Sequence, residues 1–254
     1  MHENNSHGSL EETLLDWTGH PLVDIGIATL CVMQNKDDPS NLSLEDLDQA
    51  ADQMAEYYLT GLMTSYNSVV FTMNAYDNPT SGLEKKKLYE KKVLRAHRAE
   101  PDPAAEGLIC PFSHHKATHL IERRQMPLLT GEGVLNFYPA GRGFLPICGP
   151  CLTALQALPL GGRKAEGRLL IAHADEPSLT LAFARKYLAD NQRLLNLAKS
   201  GKMPATTGPA SELDREQAAS TPKGKAKYPD VKSPNSLIGY DLIDIYTTRA
   251  DEFS

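Results

Sequence analysis

Three of the chain's four cysteines fall in two short segments with the chemistry of metal ligands. Cys148-Gly149-Pro150-Cys151 holds two thiols on a tight turn, and Cys110 opens Cys110-Pro111-Phe112-Ser113-His114-His115, 38 residues upstream. Zinc takes four nitrogen or sulfur donors in a tetrahedron, and donors already paired on a turn have little chain entropy left to lose. Ser113 stands where a second thiol would complete the first pair, and a hydroxyl is a poor zinc ligand. The fourth donor is then His114 or His115, and we take His114. The expected site is a structural zinc held by Cys110, His114, Cys148 and Cys151, against the plainer reading of Cys110 as a small buried hydrophobe.

Cys-Gly-Pro-Cys also spells a dithiol redox turn, in which a thiolate at a helix N-terminus attacks and the second thiol resolves the mixed disulfide. A thioredoxin-like thiol oxidoreductase using Cys148 and Cys151 is therefore the alternative. Against it, Ile147 stands where thioredoxins carry tryptophan, Pro139 to Pro146 separates the turn from the preceding strand-like Val134–Tyr138, and Cys110 has no role. His20 and Asp24 lie four apart on an expected helix, but no third group makes them an acid–base pair or a metal site. We read His20 as part of the helix start and Asp24 as satisfying a neighbouring backbone or basic group. No metalloprotease, nucleophile-elbow, phosphate-loop or paired-carboxylate motif occurs, so the chain is read as a binding protein, not an enzyme.

Charge is unevenly spread. The net charge of −6 averages an N-terminal block, 1–60, with twelve acids against Lys36, and two middle blocks, 61–130 and 131–200, that are each +3. Such separation lets a polyanion meet one face while an acidic face points elsewhere. Within Glu84–Arg98 seven Lys and Arg stand against two Glu, which suggests a helix docked by Leu88 and Leu94 that turns Lys85, Lys86, Lys87, Lys91, Lys92, Arg95 and Arg98 outward to phosphates. Apolar runs are short, so neither a membrane span nor a secretory signal is expected, and four cysteines make no disulfide framework. The expected compartment is the cytoplasm.

These groups must be positioned by an α+β fold: a mainly helical N-terminal part, then a small zinc-stapled β-rich region, with a flexible linker near the C-terminus. Residues 1–106 form the helical region with its basic helix, and 107–200 the zinc-knuckle α+β region. Residues 201–235 are the linker, rich in Gly, Pro, Ser, Thr, Lys and Ala, and 236–254 begin a further helical segment. Pro21 starts a buried helix. Ser43 and Asp46 suggest a capping box for a helix reaching about Thr64, and β-branched Ser68–Met73 reads as a strand leading into the polar loop Asn74–Pro79. A charged helix spans 81–98, a brief helix Leu152–Leu158, a strand Arg168–Ala172 and a helix Pro177–Lys199.

Several segments taken together are similar to one family. They are Trp17-Thr18-Gly19-His20-Pro21-Leu22-Val23-Asp24-Ile25-Gly26, the Cys110 knuckle, Pro127-Leu128-Leu129-Thr130-Gly131, Asn136-Phe137-Tyr138-Pro139, and Leu145-Pro146-Ile147-Cys148-Gly149-Pro150-Cys151 through Gly161. In this order, over roughly residues 14–200, the chain resembles the CXXC–CXXC family of CRISPR-associated proteins, the large subunit of the type I-B Cascade surveillance complex. Ser113 departs from the family's second cysteine. The resemblance implies a non-catalytic subunit that contacts the crRNA 5′ region, binds other Cascade subunits and recognises the flanking motif in target double-stranded DNA. It further implies a platform for an effector, either a helicase-nuclease or a transposition-targeting protein. Under it Asn74 and Asn78 become candidates for reading base edges, since amides pair bidentately with adenine. Family members run longer, so this chain is expected to be an N-terminal portion or one part of a split subunit.

Overall fold

The computed structural model describes residues 13–59, 63–71, 82–122, 124–128, 144–165 and 168–200. It is a helical assembly with two small sheets, as the α+β expectation requires. The expected linker, 201–235, and the segment 236–254 lie outside the described residues.

Helix α1, Pro21–Met33, is the centre. Pro21 is preset for a first helical turn, and every residue from Val23 to Cys31 is buried. A helix apolar all round must be covered on all sides. Helices α5, Gly149–Ala157, and α6, Pro177–Lys199, supply most of that cover. At the α1–α5 crossing a Cβ on Gly26 would run into the Ala154 carbonyl, so only glycine lets the two backbones approach this closely. Helix α2, Leu44–Tyr58, starts at the expected capping box: Ser43 Oγ accepts from the Asp46 N–H, and the Asp46 carboxylate accepts from Ser43 N–H at 2.9 Å.

Several boundaries differ from the sequence reading, among them the strand expected over Arg168–Ala172, which ends at Leu170. Helix α2 ends at Tyr58 instead of running to Thr64, and a separate helix α3 covers Thr64–Val70. The expected strand at Ser68–Met73 is therefore helical through Val70. Tyr66, Val70 and Phe71 are fully buried, so tertiary packing overrides the β preference of Val69 and Val70. Helix α5 starts at Gly149, three residues before the expected Leu152, because Pro150 favours the first turn.

The basic helix is also broken in mid-course. Helix α4, Leu83–Tyr89, passes into a π-helical turn, Glu90–Leu94, and then a 3₁₀ turn, Ala96–Arg98. The wider turn changes which side chains reach the core. Tyr89, Val93 and Leu94 are buried, whereas Leu88, expected to dock, is 46% exposed.

Buried polar groups lock these helices together. Gln156 of α5 accepts from Tyr58 Oη at its backbone carbonyl and from Tyr89 Oη at Oε1, both at 2.8 Å. His97 places Nδ1 3.1 Å from Thr153 Oγ1 of α5 and Nε2 2.9 Å from Asp48 Oδ1 of α2. Asp24 is almost wholly buried; its carboxylate accepts from Thr18 N, Thr18 Oγ1 and Gly19 N, and lies 3.2 Å from His173 Nε2. That is the structural role expected for Asp24, and His20 stands at the N-cap position of α1 without a side-chain capping bond.

Two antiparallel pairs complete the described fold: β1, His119–Ile121, with β2, Leu145–Ile147, and β3, Arg163–Ala165, with β4, Arg168–Leu170. One continuous cluster of buried side chains joins the 13–106 part, through residues such as Ile27 and Leu94, to the 107–200 part, through Cys110, Leu155 and Leu188.

Two outcomes follow from this packing. Gly26→Ala costs about 3 kcal/mol of unfolding free energy in urea titration, and Ala154→Gly does not rescue it because the clash is with a backbone carbonyl. Burial lowers the basicity of His97, and the Asp48 contact only partly offsets this. The unfolded imidazole, near 6.5, therefore takes up its proton first, and stability falls as pH drops through that value. His97 contributes a slope of at most about 1.4 kcal/mol per pH unit. In His97→Gln the unfolding free energy, measured from about pH 7 down to 5, declines less steeply than in the parent.

Candidate metal centre

The two cysteine segments are brought together by β pairing. Strands β1 and β2 align with His119 opposite Ile147 and Ile121 opposite Leu145, and the Thr118 N–H donates to the Ile147 carbonyl at 3.0 Å. The chain before β1 folds back on itself: Ala117 N donates to Leu108 O at 2.9 Å, Ile109 bridges Lys116, and Cys110 N donates to His115 O at 2.8 Å. Residues 111–114 are thereby forced into a tight turn, with His114 N donating to Cys110 O at 3.0 Å. On the other side, Cys148 is the N-cap of α5 and Cys151 sits in its first turn. Thr118 fastens the two halves, since its Oγ1 accepts from Gly149 N at 2.9 Å. Nothing in the sequence singles out this threonine.

The result is a group of three thiols, Cys110, Cys148 and Cys151, all buried, with their sulfur atoms within 4.8 Å of one another. Tetrahedral bonds of about 2.3 Å place neighbouring sulfurs about 3.8 Å apart, so a modest contraction of this trio seats a metal ion. Its protonation behaviour agrees. Hydrogen bonds from Cys148 and Cys151 pull the Cys110 thiol far down, while the bond to Cys110 pushes both partners up. Thiolates this close together would repel in a buried site, and a cation between them would remove that restriction. The N-terminus of α5 adds dipoles that favour thiolate at two of the three cysteines.

His114 does not join this group. Its side chain is exposed and its backbone lies in the left-handed region, with φ of 60°, the place in a tight turn usually left to glycine or asparagine. His114 is the turn residue, and neither it nor His115 brings a ring nitrogen to the three sulfurs. Ser113 is there instead, with Oγ 3.4 Å from Cys148 Sγ. The expected Cys₃His set is thus cut back to three thiols, with the serine hydroxyl beside one of them. The described residues hold only two-stranded sheets.

The expected nucleic-acid residues separate into two groups. Lys85, Lys91 and Lys92 are exposed, and Lys87 is exposed with Glu84 3.7 Å away. Lys86 instead donates to the Leu59 carbonyl at 2.8 Å, tying α4 to the end of α2. Arg95 pairs with Asp48, Asp52 and Glu90, and Arg98 with Asp48 and Glu45. Burial alone would raise the Asp48 carboxyl, but hydrogen bonds from Arg98 and His97 prevail and lower it. The acids of α2, which made the N-terminal block so negative, thus neutralise the arginine end of the basic segment. Asn74 and Asn78 lie outside the described residues. Among those described, no helix is long and apolar enough to cross a membrane.

Ser113→Cys supplies a fourth thiolate, and the purified chain then retains its metal at chelator concentrations that strip the parent, as read by elemental mass spectrometry. His114→Gly leaves metal content unchanged, and Cys151→Ser abolishes it. No protein-family model, curated protein or solved structure matches the chain.

Proposed function

We propose that this chain is a non-catalytic large subunit of an RNA-guided CRISPR surveillance complex of the type I-B Cascade kind, stapled by one zinc ion. The observation that carries the reading is the convergence of Cys110 with Cys148 and Cys151, in segments whose order resembles the CXXC–CXXC family. The ion is zinc, since buried thiolates on paired turns are its usual structural ligands. Its work is to hold the turn at 110–115 against α5, so that the surface around it keeps one shape.

In such a complex the guide RNA supplies sequence choice by base pairing, and the protein reads only a short flanking motif to begin strand opening. The subunit contacts target double-stranded DNA and the crRNA 5′ region, docks on other Cascade subunits, and presents a platform to a helicase-nuclease or transposition-targeting protein. Its phosphate-facing side chains are the exposed Lys85, Lys87, Lys91 and Lys92; Arg95 and Arg98, held by carboxylates, brace that element against α2. Asn74 and Asn78 read base edges.

In the assembled complex, Lys85→Ala with Lys87→Ala weakens target-duplex binding and lowers the slope of log affinity against log salt by about 0.9 for each phosphate that is no longer neutralised. Lys86 is left in place because its bond to Leu59 is structural. Unchanged affinity and slope in a correctly assembled complex would count against the reading. A reversible Cys148–Cys151 disulfide with reductase activity in the metal-free chain would instead favour the thiol oxidoreductase.

A further inference from the structure

Helix α6 has an apolar patch on the side that does not face the core. Its inner face, with Leu181, Ala184, Leu188 and Leu195, is buried. On the opposite side Leu179 and Phe183, one turn apart, are 50% and 42% exposed. Ala182, Lys186, Ala189 and Arg193, also exposed, continue the same stripe at helical spacing. A lone exposed leucine is ordinary, but a leucine and a phenylalanine stacked on one helix face, with alanines beside them, form a contiguous ledge. The stripe is thus apolar at its start and basic toward its end. The other charges of α6 are already engaged: Arg185 pairs with Asp37 at 3.1 Å, Asp190 with Arg163 at 3.4 Å and Lys199 with Glu56 at 2.6 Å. Among the described residues, Lys186 and Arg193 face no carboxylate.

The sequence beyond residue 200 offers a segment of matching chemistry. Leu237, Ile238, Leu242, Ile245 and Tyr246 recur at helical spacing, with Asp241 and Asp244 along one flank of that pattern. Residues 236–254 hold four acids against Arg249, whereas 201–235 hold six Lys and Arg against four acids, so only the last stretch complements a basic stripe. The distances also suit. From Ser200 back along α6 to Phe183 is about 25 Å at 1.5 Å per residue. A coil as long as 201–235 has an end-to-end distance of about 33 Å. We propose that the segment 237–246 docks in cis on the outer face of α6, with Ile238, Leu242 and Ile245 against Leu179 and Phe183, and Asp241 and Asp244 against Lys186 and Arg193. A tether of this length gives an effective concentration on the order of millimolar, so a weak contact suffices to keep the latch closed. The latch covers the face against other partners and does not depend on the nucleic-acid reading above.

The test is amide hydrogen exchange by mass spectrometry on the full metal-loaded chain. With a contact of about 100 μM affinity at millimolar effective concentration, amides of 237–246 exchange about tenfold more slowly than in a coil. Leu179→Ser with Phe183→Ser abolishes the slowing while metal content and the urea midpoint hold, since both side chains are exposed. Lys186→Glu weakens it, and Asp244→Lys added to Lys186→Glu restores it, a rescue that a general loss of stability would not give. Should the serine variant lower the urea midpoint, the charge swap decides, and no loss at Lys186→Glu or no rescue by Asp244→Lys overturns the latch. Coil-like exchange of 237–246 in the parent, or slowing that survives in a folded serine variant, also overturns it. Slowing that fades on dilution, together with a dimer in light scattering, gives the face to a second copy and overturns docking in cis.

Discussion

The close crossing of α1 and α5 at Gly26 and Ala154 is the constraint on which the rest depends. Helix α1 is buried around its whole circumference, so it acts as a fixed post against which the other helices are indexed. Helix α5 carries Cys148 and Cys151 at its N-terminus, Thr153 facing His97, and Gln156 receiving two tyrosine hydroxyls. A side chain at position 26 would separate the backbones and displace all of these together, because interiors packed to crystal-like density do not absorb a methyl group without rearrangement.

From that post the cysteine cluster follows by short steps. Thr118 holds Gly149, β1 pairs with β2, and the strand pair delivers the turn at 110–115 to the start of α5. The three thiols meet in a buried place, close enough together to hold a metal ion. Ser113 leaves the site one thiolate short of a closed set.

Charge is organised by the same packing. Asp48 of α2 sits at the junction of Arg95, His97 and Arg98, so the end of the basic segment is a carboxylate-paired seam against α2, and the uncompensated lysines lie earlier on α4 and its π-helical turn. A block count of charges sees an acidic beginning and a basic middle; the folded chain cancels part of each against the other. What remains positive is smaller and better placed than the composition suggests, with Lys91 and Lys92 at the lip of a cleft instead of on a smooth helix face.

The sequence alone determined the features that depend on local spacing. The proline-started buried helix, the Ser43–Asp46 capping box, the last helix and the two cysteine turns are all legible, because caps, periodic apolar positions and paired ligands act within a few residues. Tertiary structure decided what depends on partners far along the chain. The valines before Phe71 became helical because Tyr66, Val70 and Phe71 are buried, and Leu88 gave up its core place once a π-helical turn had shifted the register. His114 looked like a ligand by residue type, yet the hydrogen bonds closing Cys110 to His115 assign it the left-handed turn position and turn Ser113 toward Cys148. Residue types state which ligands are available; only backbone pairing across the 38 residues from Cys110 to Cys148 states which of them arrive.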